Sequence, residues 1–243
     1  MQRIFVPNQL DDEIKINGED YHHLVEVLRY EVGQVIEISD YNGNLANYEI
    51  KKISPLDKSL IVKMIEKIKN DSELPVDVTL VCALTKGKKI DETVEKGTEF
   101  GANHFIFYSS QYTPLTYPEN WCKKKTERLN KIALTAAKQS HRNIVPTVTI
   151  QKELDWERIN CQYKFLAYEK AKDEDKFFKN ALEKIKSGTK VCCAFGPEGG
   201  FTPLEVEEYE KHGFNSISLG KRILRAENAP LLFLSVLAFY FEL

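Results

Sequence analysis

The 243-residue chain has no apolar run long enough to cross a membrane. Its most apolar stretch, Ala229 to Leu243, falls short of the roughly 20 residues a span requires and reads as a buried final helix. The opening MQRIFVPNQL lacks the apolar centre of a signal peptide, so the cytoplasm is the expected compartment. Five cysteines are present, an odd number, with no C-x-x-C pair, and Cys192 and Cys193 adjoin inside an apolar run. That argues against a disulfide framework or a thiolate metal site and for buried thiols in a reducing compartment. No His/Cys/Asp/Glu cluster has ligand spacing, so no metal is expected and a metal hydrolase is set aside. Neither G-x-G-x-x-G nor a Gly-Lys-Ser/Thr loop occurs, which removes the usual dinucleotide and triphosphate signatures. A net charge of −2 leaves no global excess of either sign to announce a nucleic-acid partner. Internal repeats and low-complexity tracts are absent.

What is present is an ordinary globular composition, 42% apolar and 29% charged, in a chain long enough for two modest domains. Its character changes near residue 72. Before that point come short strand-like runs, RIFV, QVIEISD, NYEIKKI and SLIVKMIEKI, with Asn42-Gly43 as a hairpin signal between the second and third. A helix-like segment from about Asp20 to Tyr30 interrupts them, its stripe made by Leu24, Val27 and Leu28. This pattern predicts a small β-barrel over residues 1–72. The polar stretch Asn70–Pro75 suits a linker. Over residues 73–243, strands at VDVTLVCAL, HFIFYSS, KFLAYE, KVCCAF and SISL alternate with helices near 88–100, 118–139, 175–185, 203–211 and 227–241. Short apolar strands between helices imply an α/β domain with a largely parallel sheet, whose ligands gather at the carboxyl ends of the strands.

Two loops carry the chemistry. KVCCAF runs into Gly196-Pro197-Glu198-Gly199-Gly200-Phe201, followed by Thr202-Pro203-Leu204-Glu205. Thr202 as N-cap, Pro203 at the first helical position and Glu205 three residues after the cap form a capping box. Glycines there permit close approach of backbone N–H groups to a ligand, and the plainer reading is a tight packing turn. The second loop, Leu219-Gly220-Lys221-Arg222-Ile223-Leu224-Arg225-Ala226-Glu227, ends the last strand and opens the terminal helix with three cations and one carboxylate. A basic segment, Lys123, Lys124, Lys125, Arg128, Lys131, Lys138 and Arg142, faces only Glu127 in sequence and reads as an RNA-contacting face or as a solvated helix face.

GPEGGFTPLEVE with LGKRILRAENA resembles the ribosomal RNA small-subunit methyltransferase E family, which methylates a uracil N3 in 16S rRNA. MQRIFV, HHLVEVLRYEVGQVIEI, ALTKGKKIDETVEKGTEFGA and ALTAAKQSHRNIVPTV resemble its other motifs in the same order. Three departures stand out: Arg225-Ala226-Glu227-Asn228-Ala229 where the family has Arg-Thr-Glu-Thr-Ala, Glu99-Phe100-Gly101 where it has Glu-Leu-Gly, and Ser110-Gln111-Tyr112-Thr113 where it has arginine or serine positions after the second strand. The resemblance implies a SPOUT-type methyltransferase domain with a C-terminal trefoil knot after a PUA-like barrel. It also implies S-adenosyl-L-methionine as cofactor, 16S rRNA of the small ribosomal subunit as partner, and a homodimer.

On that resemblance the cofactor set is Leu84, Phe195, Gly196, Glu198, Gly199, Gly200, Leu219, Gly220, Ile223 and Leu224. Arg225 and Glu227 are the candidates nearest the reacting base, the bland reading of Glu227 being a helix N-terminal carboxylate facing the macrodipole. Arg3, Arg29, Lys123, Arg128, Lys138, Arg142 and Arg222 are the expected RNA contacts. A ribose 2′-O methyltransferase of the same fold and a non-catalytic RNA-binding assembly factor are the competing readings.

Overall fold

The computed structural model describes residues 2–7, 9–69, 72–113, 117–171 and 176–243. Asn70 and Asp71 of the expected linker, and Asp175 of the expected third helix of the larger domain, lie outside them. Two compact units emerge. One is Met1–Glu73 with Ala137–Val145, and the other is Leu74–Ala136 with Pro146–Leu243.

The smaller unit is a five-stranded sheet of order β1-β3-β4-β5-β2, with β1 Arg3–Val6, β2 Glu13–Asn17, β3 Val35–Asp40, β4 Leu45–Ser54 and β5 Ser59–Ile68. β1 runs parallel to β3 and the other pairs are antiparallel. Period-two alternation sends Ile4, Ile16, Ile36, Ile38, Tyr48, Ile50, Leu60 and Val62 into one core. Register shifts at Asn47/Tyr48 and Ile50/Lys52 bend the long β4–β5 hairpin around it. The expected Asn-Gly hairpin joins β3 to β4. Gly43 takes φ +87, and the buried Asp40 carboxylate accepts from the backbone N–H groups of Asn42 and Asn44, both at 2.9 Å. The helix expected from Asp20 to Tyr30 is one α-turn, α1 Gly18–Tyr21, running into a π-helical turn at His22–Val27. Only Tyr21 and Leu24 of this stretch are buried, so Val27 and Leu28 of the expected stripe face solvent.

The segment 137–145 joins this unit through buried polar bonds that the sequence does not announce. The Arg3 guanidinium pairs with Glu37 at 2.8 Å and donates to Asn143 Oδ1 at 2.9 Å and to the His141 carbonyl. Arg142 pairs with Glu73 at 2.5 Å, while that carboxylate also accepts from the backbone N–H groups of Asn143 at 2.7 Å and Ile144 at 3.1 Å. Arg3 and Arg142 are each 2% exposed. Both were expected on the RNA; burial in ion pairs removes them from it, and their role is to hold segment 137–145 to the small sheet.

The larger unit is an all-parallel six-stranded sheet, order β11-β9-β10-β6-β7-β8. Its strands are β6 Asp77–Ala83, β7 His104–Tyr108, β8 Thr147–Gln151, β9 Tyr163–Ala167, β10 Lys190–Phe195 and β11 Asn215–Ile217. Helices are α2 Lys89–Glu99, α3 Glu119–Gln139, α4 Phe178–Leu182, α5 Pro203–Lys211 and α6 Asn228–Glu242. A central parallel strand is covered on both faces, which explains why Val191–Phe195 of β10 is buried throughout. One face packs Val78, Leu80, Val94, Phe105 and Phe233 together, and the other Val81, Leu166, Cys192, Ala194 and Tyr209. All five cysteines are free, and burial pushes the Cys82 and Cys193 thiols far above their ordinary range. β11 lies at the sheet edge, yet α6 returns to pack on β10 and α2. Among the described residues no helix is long and apolar enough to cross a membrane, and no group of three or more His, Cys, Asp or Glu is arranged to hold a metal.

Candidate active site

Three connections leave the carboxyl ends of neighbouring strands and meet around one cavity of about 1180 Å³. Ala167–Lys170 follows β9, Phe195–Phe201 follows β10 and Ser218–Ala226 follows β11, with Lys89, Phe177 and Ala229 completing the wall. This is the edge of a parallel sheet where ligands bind, and the volume accommodates a molecule the size of a nucleoside cofactor.

The glycine loop is held from its far end. Thr202 Oγ1 accepts from the Glu205 N–H at 3.1 Å and the Glu205 carboxylate accepts from the Thr202 N–H at 2.9 Å, so the expected capping box is complete. The other oxygen of Glu205 accepts from the Gln111 N–H at 3.0 Å, tying the connection after β7 to the start of α5. Within the loop the Gly200 N–H closes a turn onto the Pro197 carbonyl at 2.9 Å. Gly200 has φ +70, which suits glycine alone, and a β-carbon on Gly196 would stand 3.1 Å from the Gly200 carbonyl carbon and 3.3 Å from the Phe201 ring. The Tyr112 side chain lies along Gly199, 3.3 Å from where a β-carbon would be. The backbone is therefore packed so tightly that side chains are excluded from the cavity's floor.

Of the ten residues expected to hold a cofactor, nine line this cavity: Phe195, Gly196, Glu198, Gly199, Gly200, Leu219, Gly220, Ile223 and Leu224. Leu84 does not. It is 1% exposed, packed in the core beneath the sheet edge, and its N–H is bonded to the Tyr108 carbonyl. An apolar residue just past a strand continues the strand's burial, which corrects its assignment to the cavity.

Arg225 and Arg222 line the cavity with exposed side chains. Glu227 occupies the N-cap position of α6 but its side chain makes no capping bond. Glu227 is not among the residues that line the cavity; its Oε2 lies 3.7 Å from the Lys89 ammonium, and that same oxygen is buried without a hydrogen bond. Lys89 also donates to Glu198 at 2.7 Å. Against the upward pull of partial burial, this bond holds the Glu198 carboxyl below its ordinary range, and the same bond holds the Lys89 ammonium above its own. Lys89 is not among the residues the sequence points to. Its partners are far away in the chain, and its only local signal was a place just past a strand's carboxyl end.

Half of the cations on α3 are already paired. Lys125 and Arg128 share Asp91 at 2.6 and 2.7 Å, and Lys138 meets Asp20 at 2.5 Å. Arg128 is still exposed, whereas Lys138 is mostly covered. Lys123, Lys124 and Lys131 stand exposed outside these pairs. Arg29 is exposed in the small unit at φ +57.

Residues 72–238 match the family model of an RNA methyltransferase domain, and residues 16–63 that of an RNA methyltransferase PUA domain. Ribosomal RNA small subunit methyltransferase E of Bacillus subtilis (strain 168) is 34% identical over 258 aligned positions, covering 100% of this chain and 98% of that protein. The protein of that name from Mesomycoplasma hyopneumoniae (strain 232) is 34% identical over 71% of this chain and 74% of its own length. Among solved structures, the crystal structure of a hypothetical protein superposes with a TM-score of 0.87 at 32% identity over 99% of both chains. Ribosomal RNA small subunit methyltransferase E from Neisseria gonorrhoeae, bound to S-adenosyl methionine, superposes with a TM-score of 0.83 at 23% identity over 99% of this chain and 98% of its own, a likeness of fold.

Proposed function

This chain belongs to the ribosomal RNA small subunit methyltransferase E family, and on that premise we propose that it transfers the methyl group of S-adenosylmethionine to N3 of a uridine in 16S ribosomal RNA. The observation that carries this reading is the glycine-floored cavity, whose walls include the two loops that carry the family's motifs. Bound S-adenosylmethionine would supply an electrophilic methyl on a sulfonium.

Phe195, Leu219 and Leu224 offer an apolar slot for the adenine. Gly196, Gly199, Gly200 and Gly220 let backbone reach the cofactor closely, with Ile223 and Glu198 at its edge. Transfer needs the uracil N3 proton removed as the N3–methyl bond forms and the sulfur–methyl bond breaks. Glu227 accepts that proton and Arg225 stabilises the negative charge growing on the uracil oxygens. The place of Glu227 at the start of α6, next to the cavity-lining Arg225 and Ala226, supports this assignment. The target base must leave any stack to reach the cavity.

Arg29, Lys123, Arg128 and Arg222 remain the RNA contacts, joined by Lys124 and Lys131. Lys138 contributes less, because it is already satisfied by Asp20. The partner is the small ribosomal subunit or its rRNA, and the compartment is the cytoplasm. A homodimer is supported by the apolar side chains that α6 and the chain end leave in solvent, Phe239 at 69% and Leu243 at 96% exposed. The trefoil knot is supported by the return of α6 from the edge strand β11 onto β10.

Incubation with methyl-labelled S-adenosylmethionine and 16S rRNA tests the reading through label retained in the RNA. Gly196→Val is expected to weaken cofactor affinity by about 100-fold or more, because the added methyls meet the Gly200 backbone, which cannot give way. Calorimetric titration with S-adenosylmethionine reads this directly. Wild-type affinity in that variant would move the cofactor to another site.

A further inference from the structure

Lys89 is the first residue of α2, on the connection leaving β6. Its ammonium reaches Glu198 at 2.7 Å, on the glycine loop after β10, and Glu227 at 3.7 Å, on the loop after β11. Three separate strand-to-helix connections thus converge on one cation at the wall of the cavity. The sheet order puts β6 and β10 side by side, so the lysine comes from the strand beside the one carrying the glycine loop. Neither carboxylate is held by its own helix: Glu227 makes no capping bond on α6, and Glu198 precedes the start of α5. Among the described residues Lys89 is the only ion-pair partner recorded for either.

We propose that Lys89, itself on the cavity wall, is a positioning residue for methyl transfer, which fixes the carboxylate of Glu227 behind that wall and links its position to the glycine loop through Glu198. The proposal rests on the methyltransferase reading above. Without the ammonium, two carboxylates of like charge are left around one vacated position, and the partly buried Glu227 loses the cation that keeps it in place. Both effects drive Glu227 away from where a base would meet it, while the glycine floor, closed by its own turn and by the capping box, stays formed. The consequence is a lysine that matters for turnover and little for cofactor binding. It does not touch the reacting atoms. It acts through Glu227, and the two losses must overlap.

The test compares Lys89→Gln, Lys89→Arg, Glu227→Gln and the Lys89→Gln/Glu227→Gln double variant, each checked for an unchanged melting temperature. Lys89→Gln is expected to lower kcat about 30-fold with S-adenosylmethionine affinity, by calorimetry, within about threefold of wild type. Lys89→Arg restores kcat to within about fivefold, and the double variant is no slower than Glu227→Gln alone, as for residues acting as a unit. In cofactor-free protein, the carboxyl carbon resonance of Glu227 moves on Lys89→Gln and stays in place on Lys88→Gln.

Unchanged kcat in Lys89→Gln, multiplying losses in the double variant, or a fall in cofactor affinity as large as that in kcat would each overturn the assignment. A wild-type protein that methylates no RNA would instead sink the functional reading beneath it.

Discussion

Arg142→Ala is expected to lower the unfolding free energy by about 3–5 kcal/mol, the usual consequence of removing one member of a buried ion pair. A buried pair adds little over an apolar pair of the same shape, because desolvation cancels most of the attraction. Removing one charge is different, since the desolvation of the other is then uncompensated. Arg142 is 2% exposed and meets a Glu73 carboxylate that also accepts from two backbone N–H groups. The guanidinium therefore completes a junction that holds 137–145 in the small unit. The melting temperature is expected to fall by about 10 °C or more, read by calorimetry or circular dichroism. An RNA-contact role makes the opposite forecast: an unchanged melting temperature, with weaker RNA binding and a salt dependence shallower by about one counterion. Arg3, equally buried against Glu37, is expected to behave like Arg142.

Glu227→Gln is expected to lower kcat for methyl transfer by about 10²–10³-fold, within the span that general bases contribute. The substitution keeps the shape and removes the proton acceptor. kcat and kcat/KM for RNA fall together, because the missing interaction is made only as the N3 proton leaves. Cofactor affinity stays within about threefold, since the cavity's floor is backbone. Arg225→Ala is expected to show a similar pattern through loss of charge stabilisation on the uracil oxygens. Single-turnover rates with saturating cofactor are the measurement. A Glu227→Gln enzyme as fast as wild type would leave the carboxylate with a structural role at the start of α6.

The readable parts of the sequence were those set by neighbours along the chain. KVCCAF reads as a covered parallel strand because every residue after Lys190 is apolar. Thr202-Pro203-Leu204-Glu205 reads as a helix start because the capping box needs only four positions. Both loops of the cavity were legible for the same reason, and nine of their expected residues line it. The edge strands β2 and β8 are not among the expected ones: EIKIN and TVTIQ alternate polar and apolar residues, but each offers only two apolar positions, too few to stand out. The π-helical turn at His22–Val27 defeats a 3.6-residue pattern, which is why Val27 and Leu28 were expected inside. Charge pairing was the least legible. Arg3 and Glu37, Arg142 and Glu73, and Lys89 and Glu198 each meet across long stretches of chain. A run of cations in sequence could not reveal that acids from elsewhere had already claimed most of it.

The most direct test of the central claim is the identity of the nucleoside that carries the label. 16S rRNA, free and in assembled small subunits, is incubated with the protein and methyl-labelled S-adenosylmethionine, digested to nucleosides and resolved by mass spectrometry. The expected product is labelled 3-methyluridine, absent from reactions with Glu227→Gln. Label on a ribose 2′-oxygen, or on tRNA alone, would contradict the account of the base and its proton acceptor while leaving the cavity as the cofactor's site.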